Sequence, residues 1–150
     1  MSIRVAIFGG SGYGGSELLR ILLFHPDVEL TFVTANKHAG KRVSDVHRNL
    51  LGLTDLEFVP IPDELSELPD IDLAFFALPH GHALEMVPRL SLGIKAIDLS
   101  GDFRIDDADV FRKYYDLTHA DPGLQRRFVY GLTETNREAI ATAQYIANPG

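Results

Sequence analysis

The chain has 150 residues, with 14 Lys or Arg against 21 Asp or Glu, a formal net charge of −7. Hydrophobic residues at 45% and charged residues at 23% are ordinary for one soluble globular domain and exclude a disordered or collagen-like chain. The acidic balance argues against a nucleic-acid partner, and the absence of cysteine excludes disulfides and cysteine zinc sites.

Ile3 to Phe8 is a short β-rich apolar run ended by Gly9–Gly10, which predicts a buried parallel strand. It is neither a signal peptide nor, at this length, a membrane span, so the expected location is cytoplasmic. From Gly14 the period changes: Leu18, Leu19, Leu22 and Leu23 fall at helical spacing, and His25–Pro26 stops the helix. Val28 to Thr34 is a second strand, completing a βαβ unit. Ala35 to Thr54 is polar and is expected to be loop with a short irregular helix. Leu56 to Ile61 is a predicted third strand, followed by an acidic helical turn over Asp63 to Glu67 that reads as a solvated face. Strands at Asp72 to Leu78 and Lys95 to Leu99 bracket a helix from His82 to Leu90. Further helices are expected at Ala108 to Tyr115 and Thr135 to Ala143, the latter capped by Thr133 or Thr135. Tyr145 to Ala147 is a last strand. This alternation predicts an α/β Rossmann-type fold, a doubly wound, mostly parallel sheet with helices on both faces.

The turn Gly9-Gly10-Ser11-Gly12-Tyr13-Gly14-Gly15 follows a predicted strand and opens a predicted helix. Glycines let the backbone approach a pyrophosphate, and the helix N-terminus presents free N–H groups to it. The alternative is a merely structural turn. An NAD site has an acidic residue at the tip of the second strand, for the ribose 2′-hydroxyl. Here the tip reads Thr34-Ala35-Asn36-Lys37, without a carboxylate that would repel a 2′-phosphate. The expected cofactor is therefore NADP, with Lys41 and Arg42 as substitutes should Lys37 be a solvated surface lysine.

Ala77-Leu78-Pro79-His80-Gly81-His82 leaves the strand at 72–78, where an open parallel sheet binds its ligands. His80 is placed to meet a cofactor or substrate, or is a loop residue at a helix start; a metal pair with His82 is disfavoured by the lack of nearby carboxylates. Asp98-Leu99-Ser100-Gly101-Asp102-Phe103-Arg104 emerges at the same edge. Asp102 and Arg104 can pair with each other, or Arg104 can face an anion with its planar fork. Glu134, after Tyr130-Gly131, can orient a substrate or only favour the start of a helix. The sequence holds no Tyr-x-x-x-Lys pair, no Gly-x-Ser-x-Gly elbow and no thiol. It reads as a dinucleotide site without a reaction centre.

The segments GGSGYGGSELLRILLFHP, HAGK, ALPHG, DLSGDFR, YGLTETNREAI and ANPG run in order along the chain. In these it closely resembles the N-terminal, NADP-binding part of the N-acetyl-γ-glutamyl-phosphate reductases of arginine biosynthesis. The resemblance implies an acyl-phosphate substrate, a homo-oligomer, and a second substrate and dimerisation domain beyond residue 150. It also implies a catalytic cysteine directly after Asn148-Pro149-Gly150, so residues 1–150 alone are expected to be inactive. In that chemistry a thiolate displaces phosphate, and hydride then reduces the thioester to the aldehyde. By the same resemblance, Gly9, Ser11, Gly12, Tyr13 and Gly14 cradle the pyrophosphate. Thr34, Asn36 and Lys37 lie by the 2′-phosphate, where the family often has Ser or Arg. Pro79 and His80 border the nicotinamide ribose, and Ser100, Asp102, Arg104 and Glu134 shape the substrate edge.

Two other readings stay open. The sister reductases of lysine biosynthesis act on an aminoadipyl phosphate one methylene longer, a difference worth only about 1–3 kcal/mol of discrimination. A stand-alone NADP-sensing module would bind the dinucleotide and do no chemistry.

Overall fold

Alternation along the strands decides what each face of the sheet packs against. In the computed structural model, which describes residues 2–65, 68–119 and 121–150, β1 (Ile3–Phe8) sends Val5 and Ile7 to one face and Ala6 and Phe8 to the other. All four are fully buried, as a parallel strand covered on both faces requires. On one face Val5 and Ile7 meet Leu19 and Leu22 of α1 (Tyr13–Leu22), with Val33, Val43, Leu50 and Phe58. On the other, Ala6 and Phe8 join Ala74 and Phe76 of β3 (Leu73–Phe76), Ala96 of β4 (Lys95–Asp98), and Ala83 and Met86 of α3 (His82–Met86). Phe8 and Phe76 stack at 4.9 Å across adjacent strands.

With β2 (Val28–Thr34), β5 (Phe128–Tyr130) and β6 (Tyr145–Ala147), the strands form one six-stranded sheet in the order β2-β1-β3-β4-β6-β5. Every pairing is parallel, so all carboxyl ends meet at one edge. The expected doubly wound fold is observed. The remaining helices are α2 (Val43–Val46), α4 (Ala108–Tyr115), α5 (Pro122–Gln125) and α6 (Thr133–Thr142). No helix among the described residues is long and apolar enough to cross a membrane.

Two expectations are corrected, and one strand is added. Leu56 to Ile61 is not a sheet strand: it makes only isolated bridges, Thr34 to Val59 and Arg42 to Glu57. Val59 exchanges hydrogen bonds with Val33 and Ala35, and then Pro60 and Pro62 remove the donors that a ladder would need. The acidic turn that should follow lies partly outside the described residues, at 66–67. β5 was not foreseen, because three residues are too few to carry a period. Neither Thr133 nor Thr135 caps α6: Leu132 holds the N-cap position, and the Thr135 hydroxyl donates to its carbonyl. The helix kinks at Asn136, whose amide donates instead to Tyr130 O at 2.9 Å.

Candidate functional site

The register aligns Thr34, Phe8, Phe76, Asp98, Ala147 and Tyr130 across the carboxyl edge. From β1 the chain passes outward to β2, then returns to β3 on the other side. The crevice between β1 and β3 is thus a topological switch point, where doubly wound sheets bind ligands. A cleft of about 600 Å³ opens there. Its walls are the turn after β1, the tip of β2 and the loop after β3.

The glycines of the turn divide into two kinds. At Gly9, with φ +88°, a Cβ would lie 2.3 Å from Ala77 O, and at Gly15 it would lie 2.5 Å from Gly9 O. These two let chain pack on chain. A Cβ on Gly12 or Gly14 would meet nothing closer than 3.7 Å. Both line the cleft with Gly9, Ser11 and Tyr13, so the missing side chains leave the backbone open to a ligand.

Helix α1 starts at that opening with Gly12 as N-cap and no side-chain cap, and its first turn holds no acidic residue. The other helices are supplied. Asp107 caps α4, Asp121 caps α5, and α2, α3 and α6 each carry an acid in the first turn. Among the described helices, α1 is the one whose free amides and positive dipole end face a cleft with nothing provided to satisfy them. That is the arrangement of an anion site.

At the tip of β2, Asn36 and Lys37 line the cleft and are exposed. Asn36 Oδ1 accepts from Ile61 N–H at 2.9 Å, which fixes the amide and leaves its NH₂ to donate. Thr34 lies at the cleft wall but is fully buried, and its hydroxyl accepts from Gly9 N–H at 3.2 Å. It steadies the turn. His38 and Ile61 line the cleft and were not singled out by residue chemistry, although His38 opens the HAGK segment.

The loop after β3 contributes Ala77, Leu78 and Pro79 to the cleft. His82 follows them into it, but His80 does not. Gly81, at φ +91°, reverses the chain, and His80 Nδ1 accepts from Gly101 N–H at 2.8 Å while its ring rests on Tyr115. This contact ties the exposed His80 ring to the loop after β4. Ser100 and Asp102 are buried. The Asp102 carboxylate accepts from Gly81 N–H at 2.8 Å, Ala83 N–H at 3.1 Å and Leu84 N–H at 3.3 Å. It caps α3 from a distant loop, so it anchors the site and does not face a substrate. Ser100 donates its hydroxyl to Asp98 at 2.8 Å and accepts from Asp102 N–H. Burial pushes the Asp98 carboxyl up to about 6, against the hydrogen bonds from Ser100.

Arg104 does not pair with Asp102. It donates to Leu99 O and to Asn148 O, both at 2.8 Å, and its guanidinium lies against Gly150. It therefore ties the segment after β6 to the loop after β4, at the sheet edge. Glu134 is exposed at the start of α6, accepts from the Thr133 hydroxyl, and lines a separate shallow depression with other residues of that helix. The structure thus brings the turn, Asn36, Lys37 and Pro79 to one cleft, and leaves Glu134 outside it.

Comparison with known proteins agrees with this geometry. The family model described as semialdehyde dehydrogenase, NAD binding domain, matches residues 4–143. Curated relatives named N-acetyl-gamma-glutamyl-phosphate reductase, from Laribacter hongkongensis and Herminiimonas arsenicoxydans, are 50% and 48% identical over 99% of the chain. The chain spans 43% of the length of each. A crystal structure of aspartate semialdehyde dehydrogenase II from Vibrio cholerae superposes on the whole chain and on 42% of its own, with a TM-score of 0.65 at 22% identity, a likeness of fold. The chain belongs to the semialdehyde dehydrogenase NAD-binding domain family.

Proposed function

We propose that this chain is the NADP-binding domain of an N-acetyl-γ-glutamyl-phosphate reductase, which converts an acyl phosphate to an aldehyde and releases phosphate. The reading is supported above all by the uncapped, acid-free start of α1 opening on a cleft whose second strand ends without a carboxylate. The relatives named for that activity supply the substrate class. A bound nicotinamide dinucleotide supplies the hydride. The amides at Ser11 to Gly14 hold its diphosphate, in the room that side chains on Gly12 or Gly14 would otherwise take. Asn36 Nδ2 and Lys37 Nζ donate to the 2′-phosphate, where an acidic residue would repel it. Pro79 forms the wall toward the nicotinamide ribose.

The acyl phosphate belongs at the neighbouring edge, near Arg104 and the Asn148–Gly150 segment, with Glu134 at its rim. These 150 residues hold no cysteine, so the thiol that accepts the acyl group lies outside them, in the same proposal as a second, substrate-binding and dimerising domain. The test is titration of the chain with NADPH and NADH. NADPH should bind about tenfold more tightly, the worth of one charge-assisted contact to the extra phosphate. Equal or reversed affinities would overturn the NADP assignment.

A further inference from the structure

One contact at the glycine turn belongs to none of the motifs described above. His47, at the end of α2, places Nε2 at 2.8 Å from Gly10 O. A carbonyl oxygen only accepts, so Nε2 carries the hydrogen and donates. We infer that His47 is a positioning residue for the diphosphate site: it fixes the Gly10–Ser11 peptide so that the Ser11 N–H faces the cleft.

The argument rests on the geometry of a single peptide unit. In a trans peptide the C=O and the following N–H point in opposite directions. Gly10 O and Ser11 N belong to the same unit. Drawing the oxygen toward His47 on one side therefore aims the Ser11 hydrogen toward the other, and Ser11 lines the cleft. Among the described residues no acceptor meets that N–H. The preceding unit is pinned as well, since Gly10 N–H donates to Thr34 O at 2.8 Å. A peptide held on its carbonyl side and free on its amide side is a donor oriented in advance, so the turn need not reorganise when an anion arrives.

His47 is itself held in place. Its N–H donates to Val43 O at 2.8 Å, Val43 is fully buried, and its ring meets the buried Phe58 edge-on at 6.0 Å. Phe58 in turn packs where a Cβ on Gly10 would fall, 3.1 Å away. The segment from α2 to Phe58 is therefore a brace behind the turn. This inference deepens the nucleotide-binding reading and rests on it.

The experiment compares wild type, His47→Leu and His47→Gln, each titrated with NADPH and with adenosine 2′-phosphate, which has the adenosine end without the diphosphate. Thermal unfolding monitors the fold. His47→Leu should weaken NADPH about tenfold and leave adenosine 2′-phosphate unchanged. His47→Gln, which carries an N–H at a similar reach, should recover most of the loss. Unchanged NADPH affinity in His47→Leu would overturn the inference. So would parallel weakening of both ligands that His47→Gln fails to rescue, the mark of a merely structural role. A wild-type chain that binds neither ligand would overturn the nucleotide reading itself.

Discussion

The turn after β1 and the loop after β4 leave the same sheet edge, both rich in Gly, Ser and polar groups. They use those groups in opposite ways. At 9–15 the packed glycines draw the backbone tight while the amides at the start of α1 face a cleft without partners. At 98–104 nearly every polar group is closed on the protein: Asp98 on Ser100, Asp102 on the amides of α3, the Gly101 N–H on His80, and Arg104 on two carbonyls. Polar groups left open at a built cleft mark a ligand site, and polar groups closed on each other mark the scaffold that holds it.

The largest expected effect breaks the first region alone. Gly12→Val adds a side chain where the protein leaves room, at an extended N-cap (φ −82°, ψ 177°) that valine adopts readily. Nucleotide binding should fall by more than about a hundredfold, with the melting temperature nearly unchanged. Gly15→Val is the control, because its Cβ would collide with Gly9 O, so the fold itself should fail. If Gly15→Val folds and only binding is lost, the division of the glycines is wrong.

The next effect breaks the second region. Asp102→Ala strips the acceptor from the Gly81, Ala83 and Leu84 amides at a fully buried position. The cost should be about 3 kcal/mol, read as a lower urea midpoint with an unchanged slope. NADPH affinity of the folded fraction should stay within about threefold, since no cleft contact is removed. A stable variant with collapsed binding would place Asp102 in the site and not beneath it.

Most of the first region could be read from residues alone. The glycine spacing, the strand before it and the helix after it are local, and their period survives in a linear string. The acid-free tip of β2 could be read the same way. The second region could not, because its meaning depends on distant partners. Asp102 looks like a substrate residue until α3 is seen to start without a cap of its own. His80 shows no sign in sequence of the bond it accepts from Gly101 N–H, 21 residues away. Leu56 to Ile61 has the apolar content of a strand, yet its prolines deny it a ladder. His47 carries no motif signal at all, since a side-chain bond to a backbone carbonyl 37 residues away leaves no pattern in sequence.

The smallest effect sharpens the comparison, because the scaffold region holds two buried groups that titrate with opposite sign. Asp98 sits at about 6 in the fold, raised from 3.8 chiefly by burial. A raised value means that its contribution is fully present below about pH 4 and is lost as pH rises through 6. His119, packed among Phe103 and Phe111, is held below its ordinary value by burial, against the pull of Asp121 and Asp102. Its contribution is present above about pH 6.5 and is lost as pH falls through the lower folded value. The two slopes oppose each other above pH 4.5, where Asp72, held down to about 2 by Arg4, no longer titrates. Wild-type stability should therefore vary little between pH 5 and 8. Asp98→Asn keeps an oxygen for the Ser100 N–H and removes the falling slope, so its stability should rise with pH. Relative to wild type it should gain roughly 1–2 kcal/mol across that range. His119→Leu should do the reverse, falling as pH rises. Urea midpoints of the three proteins at pH 5 and 8 check this, and parallel profiles would mean that neither group titrates inside the scaffold.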